Sequence, residues 1–257
     1  MKELEIDSKK VSDILIKFIP EELAKAGFER IVIGLSGGID SATCAYLSTK
    51  AVGPKNVRAI WMPSEVTHPD SEKDVDAVIR TLGINIKAIS IIPVMDLYEG
   101  LLPKMDPVRR GNVMARQRMV ILYDQSKALG ALVCGASNKT ELLLGYGTIY
   151  GDLACAFNPL GDLYKTQVRE LAEYLGVPKR IREKVPSAEL WEGQTDEGEL
   201  DLRYEDVDKL LYYMVDKGYD EARLVELGFD EGFVRKVSDR VKGSEFKRRL
   251  PTIAKIT

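Results

Sequence analysis

This sequence predicts an α/β fold, a doubly wound parallel sheet flanked by helices, and three observations predict it. The run Ile31-Val32-Ile33-Gly34 is a short, mostly β-branched strand that leads directly into Leu35-Ser36-Gly37-Gly38 and then into a helix opened by Asp40 and Ser41. Apolar strands and amphipathic helices then alternate at a spacing that requires parallel pairing with right-handed crossovers. Two small, polar segments, Ser36 to Ser41 and Gly135 to Glu141, each fall just beyond a strand, at the carboxyl edge where open α/β sheets bind ligands.

Taken in order, Val11 to Ala26 has helical apolar spacing, with Pro20 expected to bend or split it before Gly27 ends it. After the Ile31 strand and a helix to about Lys50, Gly53-Pro54 reads as a turn and Val57 to Met62 as a second strand. Pro69 to Leu82 reads as an amphipathic helix stopped by Gly83, and Ile84 to Ile92 as a third strand. A short helix, Pro93 to Leu102, and a loop, Pro103 to Gly111, precede a long helix from about Asn112 to Leu129. Ala131 to Cys134 is a further strand. The helix Thr166 to Leu175 and a short one ending near Lys184 follow, then a polar stretch, Pro186 to Glu197, that reads as a mobile lid. Helical stretches at Tyr204 to Asp216, Asp220 to Leu227 and Glu231 to Val241 close the chain. With no repeats, low-complexity tracts or linkers, residues 1–257 read as a single domain.

The first loop carries the chemistry. A strand, a Gly-rich loop and a helix start aim backbone N–H groups at an anion, with the positive end of the helix dipole behind them. Adjacent Gly37 and Gly38 let that backbone approach phosphate oxygens without a Cβ in between. Asp40 would repel a bare phosphate, and it makes sense as a ligand to a divalent cation that in turn holds phosphates. Any strand-to-helix turn explains the glycines but not the acid beside them. The loop is neither GxxxxGK[ST] nor GxGxxG.

Composition narrows the field. The chain has 37 Lys and Arg against 40 Asp and Glu, a net charge of -3, so no global field favours nucleic acid or a membrane surface. Its charged first ten residues predict no leader peptide, and no apolar run reaches the roughly 18–20 residues of a membrane span. Cys44, Cys134 and Cys155 lie far apart in the sequence, without zinc spacing, and read as buried thiols of a cytoplasmic, reducing compartment. One histidine, His68, reads as a surface residue at a helix start, which excludes Ser-His-Asp and Cys-His mechanisms.

Other candidates come from charge placement. Arg116 and Arg118 fall in the first turns expected for the long helix, where cations oppose the dipole. An anionic ligand or partner is the favoured reading for Arg116, and a surface role stays open for Arg118. Glu141 follows the fourth strand and could share one magnesium with Asp40. Lys165 opens a helix, where an extended ammonium is what a transferring phosphate would recruit. Gly145 to Asp152, three glycines in a segment without period, reads as functional irregular chain.

SGGIDS at 36–41 matches the SGGxDS loop of ATP pyrophosphatases, and the ordered set of motifs resembles the NAD synthetase family from about Val11 to Pro251. The residues that carry the resemblance are GLSGGIDSA (34–42), GNVMARQRM (111–119), SNKTE (137–141), GYGTIYGD (145–152), PLGDLYKT (159–166), KVPSAEL (184–190), QTDE (194–197) and FKRRLP (246–251). The resemblance implies the adenine nucleotide alpha-hydrolase-like fold of the ATP pyrophosphatase type. It implies amidation of deamido-NAD by ammonia through an adenylate, with ATP as co-substrate, Mg2+ as cofactor, and AMP and pyrophosphate as products. It implies ATP contacts at Gly34, Leu35, Ser36, Gly37, Gly38, Ile39, Asp40, Ser41, Ala136, Lys165 and Ser187. Asp40 and Glu141 match the metal ligands, Asp40 and Lys165 the catalytic pair, and Arg116, Phe246 and Lys247 the contacts to deamido-NAD. The family forms homodimers with the dinucleotide near the subunit interface.

Departures from the family pattern are Ala136 for a threonine, Ile149 for a lysine, Ala156 for an acid and Phe246 for a histidine. The sequence leaves no room for a glutaminase domain, so either free ammonia serves directly, the favoured reading, or a separate subunit supplies it. The rival readings are another adenylating ligase on the same loop, acting on a different carboxylate or a tRNA base, and a nucleotide-binding regulator without turnover.

Overall fold

The computed structural model describes residues 2–191 and 193–256. Its centre is a four-stranded parallel sheet in the order β3-β2-β1-β4, with β1 Ile31–Gly34, β2 Val57–Trp61, β3 Asn85–Ala88 and β4 Leu132–Cys134. Gly34 pairs with Ile60 on one side of β1, and Ile33 with Cys134 on the other. Ile31, Val32 and Ile33 are fully buried because both faces of the sheet are covered. Alternation along the strand sends Ile31 and Ile33 into one apolar cluster and Val32 into another.

The first face is covered by α1 (Ser8–Lys25), α2 (Ile39–Val52), α3 (Pro69–Leu82) and α7 (Lys165–Leu175). The second is covered by α4 (Ile92–Leu101) and α5 (Pro107–Leu129). The chain leaves β1 toward β2 on one side and returns through β4 on the other, so the carboxyl ends of β1 and β4 bound a switch-point crevice. Short helices α6 (Lys139–Leu144), α8 (Lys179–Arg182) and α9 (Asp196–Leu200) rim that crevice region. α10 (Tyr204–Leu211), α11 (Glu221–Glu226) and α12 (Glu231–Gly243) build a third apolar cluster around Tyr204, Leu210 and Val237. The doubly wound parallel fold is as expected, and no helix among the described residues is long and apolar enough to cross a membrane.

Three elements differ from expectation. β3 is limited to Asn85–Ala88, an edge strand with all four residues exposed; Ile89 N and Ile91 N still donate to Trp61 O and Pro63 O before α4 opens at Ile92. The long helix starts at Pro107, capped by Asp106, whose carboxylate accepts from Arg109 N at 2.8 Å. Gly111, read as the end of a loop, lies inside it and is buried, because Leu190 comes within 3.0 Å of where a Cβ would stand. α1 runs unbroken through Pro20.

A proline inside a helix costs about 3 kcal/mol, and its stiffening of the unfolded chain returns about 1 kcal/mol. Pro20→Ala is therefore expected to raise the unfolding free energy by about 2 kcal/mol, read from urea titration. An unchanged midpoint would mean that the ring's own packing offsets the lost helix bond.

Candidate active site

The Gly-rich loop is preorganised by its own hydroxyls. Ser41 Oγ donates to Gly38 O at 3.1 Å and accepts from Ser36 N at 3.2 Å, while Ser36 Oγ accepts from Gly38 N at 3.2 Å. Gly37 has φ +83°, and a Cβ there would stand 2.8 Å from the Ser71 carbonyl oxygen of α3, so only glycine fits. Gly38 then caps α2 without a side chain, leaving the first amides of that 14-residue helix free to meet an anion.

Asp40, in the first turn of α2, faces Glu141 of α6 across Lys165. The Lys165 Nζ donates to Asp40 Oδ2 at 2.6 Å and to Glu141 Oε1 at 3.1 Å, with the lysine side chain only 2% exposed. It also lies 5.3 Å from the centre of the Tyr204 ring, a cation–π contact. Burial alone would depress the ammonium's pKa, but the Asp40 and Glu141 carboxylates outweigh it and hold the group firmly charged. Glu141 is pushed up to about 7, first by burial and then by repulsion from Asp40 and Asp196, with Lys165 pulling the other way. Asn138 completes the cluster: its Nδ2 donates to Asp40 Oδ1 at 3.0 Å, and it forms a reciprocal capping box with Glu141.

Three carboxylates, of Asp40, Glu141 and Asp196, thus act on one lysine in a buried setting, leaving a surplus of negative charge. Among the described residues no three acids, cysteines or histidines converge as a complete metal cage. Two carboxylates facing a cavity fit magnesium, which keeps most of its shell as water and phosphate oxygens.

The helix start that carries Lys165 is itself fixed from below. Asp208 of α10 is fully buried, accepts from Thr140 Oγ1 at 2.6 Å and from Thr166 N at 2.8 Å, and Thr140 Oγ1 in turn accepts from Lys165 N at 2.9 Å. Tyr204 Oη and Tyr146 Oη both donate to Asp196 at 3.0 Å.

A cavity of ≈ 490 Å³ opens in front of this cluster. Gly34, Leu35, Ser36, Gly38, Ile39, Asp40 and Ser41 line it, as do Ala136, Glu141, Lys165, Ser187 and Lys247. Gly37, Arg116 and Phe246 do not. Arg116 Nη2 donates to Ile149 O at 3.3 Å, and Phe246 is 61% exposed. Lys247 Nζ spends its donors on Gly145 O and Gly147 O, both at 2.8 Å. Neither Arg116 nor Arg118 lies in a first helical turn: α5 begins at Pro107, and both sit about three turns inside it, away from its dipole end. Arg118, given a surface role as an option, instead lines the cavity.

The polar stretch after α8, read as a mobile lid, makes specific contacts with α3 and with the residues that follow α8. Glu189, at φ +50°, accepts from Ser71 Oγ at 2.6 Å, from Lys184 Nζ at 3.1 Å and from His68 N at 3.2 Å. Gln194 accepts from Leu190 N at 2.8 Å. Glu192, within that stretch, lies outside the described residues. His68 caps α3, as expected, accepting from Asp70 N at 3.1 Å.

An amide-lined loop beside a carboxylate–lysine–carboxylate cluster, at the switch point of a parallel sheet, defines an ATP-splitting enzyme of the adenine nucleotide alpha-hydrolase-like fold. The NAD synthase family model matches residues 11–251, and the chain belongs to that family. It is 51% identical to the NH3-dependent NAD+ synthetase of Trichlorobacter lovleyi, over all of this chain and 94% of that one. It is 46% identical to the protein of that name from Fusobacterium nucleatum, over all of this chain and 99% of that one. Among solved structures, the NMN synthetase of Francisella tularensis is similar with TM-score 0.86 and 33% identity, covering 97% of this chain and 99% of that one. The NH3-dependent NAD synthetase of Campylobacter jejuni is similar with TM-score 0.84 and 33% identity, covering 98% and 100%.

Asp208→Ala strips two buried donors of their acceptor, and is expected to cost about 3 kcal/mol of stability. Asp208→Asn, which keeps one acceptor oxygen, should cost roughly half of that. Chemical denaturation of both variants checks the order, and equal losses would show that the negative charge itself is what matters.

Proposed function

We propose that this chain is an ammonia-dependent NAD synthetase, a ligase that forms a C–N bond. It transfers the adenylyl group of ATP to the nicotinate carboxylate of deamido-NAD and then exchanges AMP for ammonia. The observation that carries this reading is the buried Lys165 ammonium shared by Asp40 and Glu141 at the mouth of the amide-lined loop. The names of the 51% and 46% identical relatives support the nitrogen source as free ammonia, without a separate supplying subunit. The whole chain, 1–257, works as one domain.

In the first step a carboxylate oxygen attacks the α-phosphorus, the bond to the β-phosphate oxygen breaks, and pyrophosphate leaves. Both reactants are anions, so the protein's task is screening and placement. The Gly34 to Ser41 backbone seats the phosphates, and Ala136 and Ser187 line the same cavity. Lys165 lends a fixed positive charge to the transferring phosphoryl group, and the buried carboxylates hold that charge in place. Asp40 and Glu141 would hold magnesium, which supplies charge neutralisation to the phosphate oxygens. The nucleophile is already ionised, so no general base is needed, in keeping with a site without histidine. In the second step ammonia attacks the acyl carbon, the bond to AMP breaks, and loss of a proton from nitrogen leaves the amide.

Arg116, Phe246 and Lys247 serve deamido-NAD. Arg116 and Phe246 lie off the cavity of a single chain, which fits a dinucleotide that reaches them at a contact between two copies. Exposed apolar side chains are available for such a contact: Leu97 and Leu101 of α4 are 61% and 66% exposed, and Val120 of α5 is 53% exposed. The enzyme works in the cytoplasm, in keeping with Cys44, Cys134 and Cys155 as free thiols.

Incubation with ATP, magnesium, ammonium and deamido-NAD should yield NAD, AMP and pyrophosphate in equal amounts, and ADP with orthophosphate as products would reject the reading. Running the mononucleotide acid in parallel tells whether the adenylyl half of the dinucleotide is required. Asp40→Asn should slow pyrophosphate release by about 10²–10³-fold while only weakening ATP binding; a regulator without turnover would lack the first effect. Val120→Glu with Leu101→Glu should convert a dimer into a monomer in light scattering, and a monomeric parent protein would remove the two-copy reading.

A further inference from the structure

Arg118 carries a charge that the steps above leave unused. Its Nε donates to the carbonyl oxygen of Met62, just past the carboxyl end of β2, at 3.2 Å. Among the described residues neither of its Nη atoms has a hydrogen bond or an ion pair. Arg118 is one of the residues that line the cavity. The acids that act on it, Glu189 and Asp152, are already engaged: Glu189 by Ser71 and Lys184, and Asp152 by the Thr148 amide at 2.8 Å. Burial draws the guanidinium's pKa down, yet an arginine stays charged. A cation that lines a cavity, is anchored through one nitrogen and has no partner for its planar fork among the described residues suits bidentate binding of an oxyanion.

The anchor indicates which oxyanion. Met62 directly follows β2, and β2 is tied to the phosphate loop through Leu35 N donating to Ile60 O at 3.0 Å. Arg116, two residues earlier and turned the other way around α5, reaches the glycine segment at Ile149 instead. Of the two arginines, only Arg118 lines the cavity.

We propose that Arg118 binds ATP through its phosphates, its Nη pair gripping phosphoryl oxygens of the nucleotide seated on the loop after β1, while its bond to Met62 fixes the direction of the fork. This rests on the reading of that loop as the ATP site. The test is competition of ATP, pyrophosphate and adenosine against labelled ATP, with magnesium present, on the parent protein, Arg118→Ala and Arg118→Lys. Arg118→Ala should weaken ATP and pyrophosphate by about tenfold or more, with Arg118→Lys in between, and leave adenosine within about twofold. The KM for ATP should rise while that for deamido-NAD stays level. Undiminished ATP affinity in Arg118→Ala overturns the proposal, as does an equal loss of adenosine, which would make Arg118 part of the base pocket. If Arg118→Ala does not fold, Arg118→Lys decides by the same ratio of ATP to adenosine loss. A parent protein that fails to bind ATP rejects the functional reading instead.

Discussion

One ammonium, almost entirely out of water, is the constraint on which the site depends. Removing a charge from solvent costs several kcal/mol unless partners replace the lost hydration. Lys165 finds them in Asp40, Glu141 and the face of Tyr204. Those groups come from α2, α6 and α10, so the lysine is satisfied only when three separate parts of the chain are correctly assembled. The carboxylates are equally dependent, since without the lysine they would face each other in a buried pocket. Asp208 and Asn138 add direction: one seats the helix that presents the lysine, the other aligns the two acids.

The sheet topology explains why these parts meet. β1 has β2 on one side and β4 on the other, so the loops that follow β1 and β4 diverge around a gap. Asp40 follows the first and Glu141 the second. The chain then crosses back to place α7 against α2, delivering Lys165 into the gap. A site assembled at such a point needs no long, specialised segment, only correct winding.

Much of this is legible in the residues. Ile31 to Ser41 announces itself because a buried strand followed by two glycines and an acid is more than a plain turn between strand and helix requires. Glu141 follows from a second polar segment after a strand. Lys165 is visible as a cation at a helix start, although its ion pairs are not. Asn138 carries a readable signal, a capping residue three positions before a glutamate. Asp208 and Tyr204 carry none, because their roles arise from the packing of α10 beneath α7, a contact between residues some forty positions apart. The two arginines are misplaced for a definite reason: Gly111 looks like a helix boundary, yet its missing side chain makes room for Leu190 inside α5. Sequence spacing alone then cannot tell which of Arg116 and Arg118 faces the cavity.

The short 3₁₀ turn Glu245–Arg248 has a practical meaning for anyone handling this polypeptide. Lys247 and Arg248 spend their donors on main-chain oxygens of Gly145, Gly147, Leu142 and Leu143, a hundred residues away in the chain. Clipping the protein upstream of Lys247 would therefore unfasten the segment that borders the cavity, whereas residues 250–256 lie exposed beyond it. An affinity tag or fluorescent fusion belongs after that exposed stretch, and a protease site used to release it should be kept clear of Phe246 to Arg249.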